Sequence, residues 1–244
     1  EGEHGAYEMS IKEILEKASQ IIQEKATELH IVGGLHPELG LDFYIDMISS
    51  IHKRFPEVHL QAFTAVEISH FAEISGISTY ETLKKLKDAG LGSLPGGGAE
   101  VFATEIREEL CPEKLSGEEW LNTMRIAHNL GLKSNATMLY GHIEQDKDRI
   151  NHLLKLRELQ DETGGFMTFI PLAFHPKNTD MKNISSTAGI LDLKMLAIGR
   201  LMLDNFDHIK AFWIMLGIKI SQISLSFGVD DIDGTVAEER ITHS

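Results

Sequence analysis

Cysteine is almost missing from this chain: among 244 residues only Cys111 carries a thiol. A disulfide within the chain is therefore excluded, and a reducing compartment, the cytoplasm, is expected. One thiol also cannot hold a zinc or iron–sulfur centre, so no metal site is expected from these residues. Positive charge is scarce as well. Lys and Arg number 23 against 37 Asp and Glu, a formal charge of −14 with the acids spread along the chain. Such a surface repels phosphate backbones and anionic membranes, which excludes nucleic acid as a partner. No run of about 18 apolar residues occurs, so no membrane-spanning helix is expected. The nearest candidate, residues 211–227, is interrupted by Lys219, Gln222 and several serines. There is no signal-peptide pattern and no initiating methionine, and the opening Glu-Gly-Glu-His-Gly reads as mid-phrase, so residues upstream are expected. Linkers and low-complexity stretches are absent too, which predicts one domain over 1–244.

What the chain does have is a glycine patch. Residues 91–94 are largely apolar and run into Pro95-Gly96-Gly97-Gly98-Ala99-Glu100. Proline stops a strand, and glycine lets backbone approach a ligand closely or take positive φ. The stretch reads either as a turn or as a cradle for a polar small molecule.

Around it, helical and strand patterns alternate. Helices are predicted over 10–26 (Ser10 as cap, Glu13 completing its box), 42–55, 79–89 (Thr79 as cap, Thr82 at N3), 103–110, 116–130, 146–162, 190–205 and 218–227. Strands are predicted over 28–32, 58–66, 91–94, 133–140, 166–174, 208–216 and 229–236. Each strand-plus-helix unit spans roughly 25–40 residues, as βαβ units do, and the strands are near-continuous apolar runs. Seven strands preceded by an unpaired helix predict a (β/α)8 TIM-type barrel that lacks its first strand. A doubly wound open sheet is the alternative.

Ligands of such barrels bind at the C-terminal strand ends. Here those ends carry His36, Glu67, the patch 96–100, His142, His175 and Asp233. Taken singly, each residue reads as an ordinary loop, cap or solvated residue. As a ring they suit two chemistries. One is a metal-dependent hydrolase with His142, His175 and Asp233 as ligands. The other is an enzyme whose chemistry belongs to a cofactor lying across glycine edges. The edges at Gly33-Gly34 and Gly96-Gly97-Gly98 favour the second. A non-catalytic ligand-binding barrel is the third reading.

In their order along the chain, these phrases resemble the radical S-adenosylmethionine enzymes of the futalosine route to menaquinone and of the deazaflavin branch. The matching phrases are His30-Ile-Val-Gly-Gly-Leu-His-Pro37, Ala62-Phe-Thr-Ala-Val-Glu67, Leu91-Gly-Ser-Leu-Pro-Gly-Gly-Gly-Ala-Glu100, Asn135-Ala-Thr-Met-Leu-Tyr-Gly-His-Ile-Glu144 and Arg157-Glu-Leu-Gln-Asp-Glu-Thr-Gly-Gly-Phe166. Ile170-Pro-Leu-Ala-Phe-His-Pro176 and Asp230-Asp-Ile-Asp-Gly-Thr-Val236 extend the likeness over nearly the whole chain. Leu139-Tyr140, His175 and Asp233 are closer to the aminofutalosine synthases than to the dehypoxanthine futalosine cyclases.

The resemblance implies S-adenosylmethionine and a [4Fe–4S] cluster as cofactors, and a flavodoxin or ferredoxin as electron donor. It implies addition of the 5′-deoxyadenosyl radical to 3-[(1-carboxyvinyl)oxy]benzoate, an aromatic dicarboxylate, with loss of the carboxyl group. It assigns Gly33 and Gly34 to the methionine amino end, Glu67, Ser93 and Glu100 to the ribose or amino group, and Gly96, Gly97 and Gly98 to the nucleoside. His36, Tyr140, His142 and His175 would face the substrate, with Thr235 beside them. Arg107, Arg125 and Arg200 are the candidate cations for its carboxylates. The family's Cys-x3-Cys-x2-Cys motif is absent, and Cys111 does not replace it. Loss of an upstream segment would remove both the motif and the first strand.

Overall fold

A computed structural model describes residues 7–177, 179, 181 and 183–236. Seven strands form one sheet: β1 (Glu28–Ile31), β2 (His59–Ala62), β3 (Ser93–Leu94), β4 (Lys133–Tyr140), β5 (Phe166–Ala173), β6 (His208–Ala211) and β7 (Asp231–Ile232). All neighbours are parallel, and spatial order equals chain order. A sequential order winds in one direction only, so the doubly wound alternative does not apply. The seven strands follow the order expected of a (β/α)8-type barrel without its first strand, and a full barrel is not formed among the described residues. β1 and β7 are the sheet's two edges, and the result is a curled half-barrel. A closed barrel needs a ladder between its first and last strands, and these two share none.

Helices cover the convex face: α1 (Ile11–Gln23), α2 (Leu41–Arg54), α3 (Ala65–Ser75), α4 (Thr79–Ala89), α5 (Thr104–Leu110), α6 (Gly117–Asn129), α7 (Asp146–Thr163) and α8 (Gly189–Met202). The short α9 (Trp213–Leu216) and α10 (Ile218–Ser224) follow β6. None of the described helices is long and apolar enough to cross a membrane. Alternation along β4 sorts the two faces. Ser134 and Tyr140 reach helices, through His128 on α6 and Asp192 on α8, while Asn135 reaches Gln61 across the hollow side. Between sheet and helices lies a continuous core in which Trp120 stacks near Phe166 (6.2 Å) and Phe166 on Phe206 (5.3 Å). Each such ring contributes roughly 1.5–3 kcal/mol by leaving water.

Several boundaries differ from the sequence patterns, and the last strand, predicted over 229–236, is reduced to β7 at Asp231–Ile232. The run 58–66 is not one strand: β2 ends at Ala62, Phe63 takes φ +63, and Thr64 opens α3 through a capping box with Glu67. The Thr-x-x-Glu signal outweighs the largely apolar run around it. The run 208–216 breaks too, β6 stopping at Ala211 before α9, here without a side-chain cap. At α4 the cap is Ser78, boxed with Glu81, rather than Thr79 with Thr82, because only the former pair offers a carboxylate to the cap amide.

Candidate functional site

The loops at the C-terminal strand ends are held together by buried side chains. Glu67 is 4% exposed and joins the first two loops. Its Oε1 accepts from the Gly33 amide (3.0 Å) and its Oε2 from the Thr64 amide (2.8 Å) and hydroxyl (2.9 Å). Desolvation raises its pKa and these bonds oppose the rise.

The glycine patch is a joint as well as a loop. An added Cβ at Gly96 would lie 2.3 Å from the Asn135 carbonyl oxygen, one at Gly97 2.9 Å from Thr64, and one at Gly98 2.7 Å from Val66. Protein atoms therefore fill the space these three glycines leave. Their carbonyls are also taken. Thr137 donates to Gly96 (2.7 Å) and Trp120 to Gly97 (3.0 Å). The buried Arg107 donates to Gly98 (3.2 Å), Ala99 (2.6 Å), Val101 (3.3 Å) and Leu115. The amides of residues 96–100, by contrast, donate no hydrogen bond among the described residues. Gly96 (φ +82), Gly98 (φ +82) and Glu100 (φ +43) are left-handed at alternate positions, a pattern that forms acceptor-binding concavities from successive N–H groups.

Gly33 and Gly34 differ from the patch. Both are exposed, Gly34 has no atom within 4 Å of its Cβ position, and Gly33 has only Glu67 Oε1 at 3.9 Å. This edge is open. Together the open edge and the unbonded amides fit a cofactor with an amino-acid end and a nucleoside end, as S-adenosylmethionine has. The cluster does not fit. Among the described residues no group of three His, Cys, Asp or Glu side chains could hold a metal, and burial pushes the Cys111 thiol up in pKa. The same fact removes the hydrolase alternative built on His142, His175 and Asp233.

The remaining sequence candidates are dispersed. Ser93 is buried at the bottom of the hollow, its hydroxyl within 2.7 Å of His59 Nε2 and 3.1 Å of Gln61 Nε2. His36 lies in a turn where Nδ1 accepts from the amides of Glu38 (3.1 Å) and Leu39 (3.0 Å), with Glu8 3.4 Å from Nε2. Tyr140 is fully buried and donates to Asp192 (2.7 Å), an enclosed structural bond on the helix side. Burial, and then the Asp192 charge, raise its pKa. His142 is sealed between the Leu139 carbonyl (3.1 Å) and Glu144 (3.1 Å), and Glu144 also accepts from Arg149 (2.6 Å). Burial lowers the His142 pKa. His175 sits half-buried at the end of β5, its ring without a hydrogen bond among the described residues. Thr235 is exposed.

The three arginines are engaged. Arg107 clamps the patch, Arg125 pairs with Glu162 (2.8 Å) and Arg200 with Asp230 (2.6 Å). The cations at the site are two lysines outside the arginine candidates. Lys114 pairs with Glu100 (2.8 Å), and Lys210 on β6 faces the hollow between Asp231 (3.3 Å) and Asp233 (3.5 Å). The Lys210 signal was the alternation His208-Ile209-Lys210-Ala211, which puts the lysine opposite the buried pair Ile209 and Ala211.

Comparison with known proteins is consistent with this geometry. The sequence profile of the Radical SAM superfamily matches residues 1–156, and that of the CofH/MqnC C-terminal region matches 163–244. The chain is 46% identical over 246 residues to aminodeoxyfutalosine synthase of Thermus thermophilus, covering 99% of this chain and 66% of that protein. It is 44% identical over 241 residues to 5-amino-6-(D-ribitylamino)uracil–L-tyrosine 4-hydroxyphenyl transferase 1 of Methanosarcina barkeri, covering 96% and 64%. The chain thus spans about two thirds of the length of these curated relatives. The crystal structure of methylornithine synthase shares the fold, with a TM-score of 0.74 over 94% of this chain and 63% of that one at 16% identity. Radical SAM enzymes use S-adenosylmethionine and a [4Fe–4S] cluster. With more than half its length matched by that profile, the chain belongs to the radical SAM superfamily.

Proposed function

We propose that residues 1–244 are a single barrel-type domain of an aminofutalosine synthase. The reaction joins the 5′-deoxyadenosyl part of S-adenosylmethionine to 3-[(1-carboxyvinyl)oxy]benzoate, with loss of the carboxyl group, in menaquinone biosynthesis. The observation that carries the reading is the 46% identity over 99% of the chain to the Thermus thermophilus synthase. One sheet and one core run through both profile-matched segments, which supports a single domain.

Gly33 and Gly34 take the amino-acid end of the cofactor, and the amides of residues 96–100 take acceptor atoms at its nucleoside end. Glu67 holds the Gly33-Gly34 edge against the turn at Thr64. Glu100 meets the ribose, His36 and His175 stand toward the substrate, and Tyr140 and His142 shape the loops behind them. Ser93 supports the floor of the hollow. Lys210 is the cation that a dicarboxylate meets in the hollow. When bound, S-adenosylmethionine supplies the deoxyadenosyl group that ends in the product. The cluster finds no ligand set among the described residues. The reading includes a flavodoxin or ferredoxin as electron donor and a cytoplasmic location, for which the lone cysteine speaks. Superfamily membership weighs against the non-catalytic barrel.

The 44% identity to the Methanosarcina barkeri transferase favours a second reading, transfer of a hydroxyphenyl group from tyrosine. One experiment tests both. The full-length protein is reconstituted anaerobically with iron and sulfide and given S-adenosylmethionine with either the enol ether or tyrosine plus the aminouracil. Mass spectrometry is expected to find an adenosine-containing adduct from the enol ether alone. A product from tyrosine alone overturns the synthase reading for the transferase. A cyclised product from dehypoxanthine futalosine, with none from the enol ether, overturns it for the cyclase.

A further inference from the structure

Lys114 belongs to none of the motifs above. It lies in the turn between α5 and α6, and its Nζ stands 2.8 Å from Glu100 Oε1, the two side chains 35% and 16% exposed. Burial pulls the Lys114 pKa down, the Glu100 charge pushes it up, and the net direction is up. Glu100 itself is unusual, a non-glycine residue at φ +43 whose carbonyl is tied to β4 by the Leu139 amide (2.9 Å). Left-handed backbone at a residue with a Cβ costs on the order of 1 kcal/mol and persists where its surroundings enforce it. Desolvating an ion pair also opposes folding. Strain and desolvation thus meet at one residue, at the end of the unbonded amides of residues 96–100.

The consequence is geometric. One oxygen of Glu100 is held by Lys114, while Oε2 has no hydrogen bond among the described residues and remains open. A fixed carboxylate oxygen beside a row of free N–H donors recognises hydroxyl donors next to acceptor atoms, the pattern of a ribose carrying a base. We propose that Lys114 is a positioning residue: it fixes Glu100 so that Oε2 accepts from a ribose hydroxyl of the bound nucleoside. This rests on the reading that S-adenosylmethionine binds at these strand ends.

The test is calorimetric binding of S-adenosylhomocysteine and its 2′,3′-dideoxy analogue to the full-length protein, with circular dichroism to verify folding. The wild type is expected to prefer the hydroxylated ligand by about 10- to 100-fold, the range of a hydrogen bond to a charged group. Lys114→Met is expected to lower that preference to within about threefold while binding the dideoxy ligand as the wild type does. Lys114→Arg is expected to retain most of it. A general structural role would weaken both ligands together and leave the ratio unchanged. A Lys114→Met protein that keeps the wild-type ratio overturns the proposal and leaves the S-adenosylmethionine reading intact. A wild type that binds neither ligand overturns both. If Lys114→Met does not fold, Glu100→Gln decides: loss of the preference supports the proposal, and its retention refutes it.

Discussion

Tyr140 donates its hydroxyl to the buried carboxylate of Asp192, and that bond predicts what its removal does. Tyr140→Phe is expected to lower stability by about 1–3 kcal/mol, because a buried carboxylate loses its donor. Urea denaturation checks it; a variant as stable as the wild type but without turnover would return the hydroxyl to the substrate. His128 predicts a pH effect. It is 9% exposed, its ring nitrogens lie 2.7 Å from Thr163 Oγ1 and 2.9 Å from Ser134 Oγ, and burial, aided by Lys133, pushes its pKa down from 6.5 to about 4. Between those values the unfolded chain binds a proton that the folded chain refuses, so stability falls as pH falls through that window. The slope is about 1.4 kcal/mol per pH unit. His128→Gln is expected to shrink the stability difference between pH 7 and pH 5 by about 2 kcal/mol, read from denaturation midpoints at both pH values. The residue types at these positions were legible in the sequence, their partners were not. Asp192 stands 52 positions from Tyr140, and no local pattern pairs residues so far apart.

Among elements, the capped helices were the most legible. The boxes at Ser10 with Glu13 and Ser116 with Glu119 are local chemistry, complete within four residues, and both form as read. The shift at α4 and the break after β2 come from the same capping-box chemistry, at Ser78, one residue before the expected cap, and at Thr64, inside an apolar run. The two glycine edges look alike in sequence and differ in space. Gly96→Ala is expected to cost about 2–4 kcal/mol, since its φ is +82 and its Cβ would press on the Asn135 carbonyl. Gly34→Ala, with nothing within 4 Å, is expected to change stability by no more than about 0.5 kcal/mol while weakening S-adenosylhomocysteine binding about tenfold. Thermal melting and calorimetry separate the two. Equal destabilisation by both variants would refute the distinction between joint and open edge.

At the scale of the molecule, the sequence by itself determined the alternation of helix and strand, the strand count of seven and the parallel sheet. Hydrophobic period and capping are written in neighbouring residues, and a right-handed βαβ crossover leaves little freedom in joining them. It also carried the phrases that mark the superfamily, because such phrases are runs of adjacent residues. Only the tertiary structure decided that the sheet stays open between β1 and β7. It alone showed that Arg107 holds the patch rather than a ligand, and that Lys114 and Lys210 are the cations at the strand ends. Those facts depend on which side chains meet across many residues of chain. That is set by packing the whole core at once, and no stretch of sequence contains it.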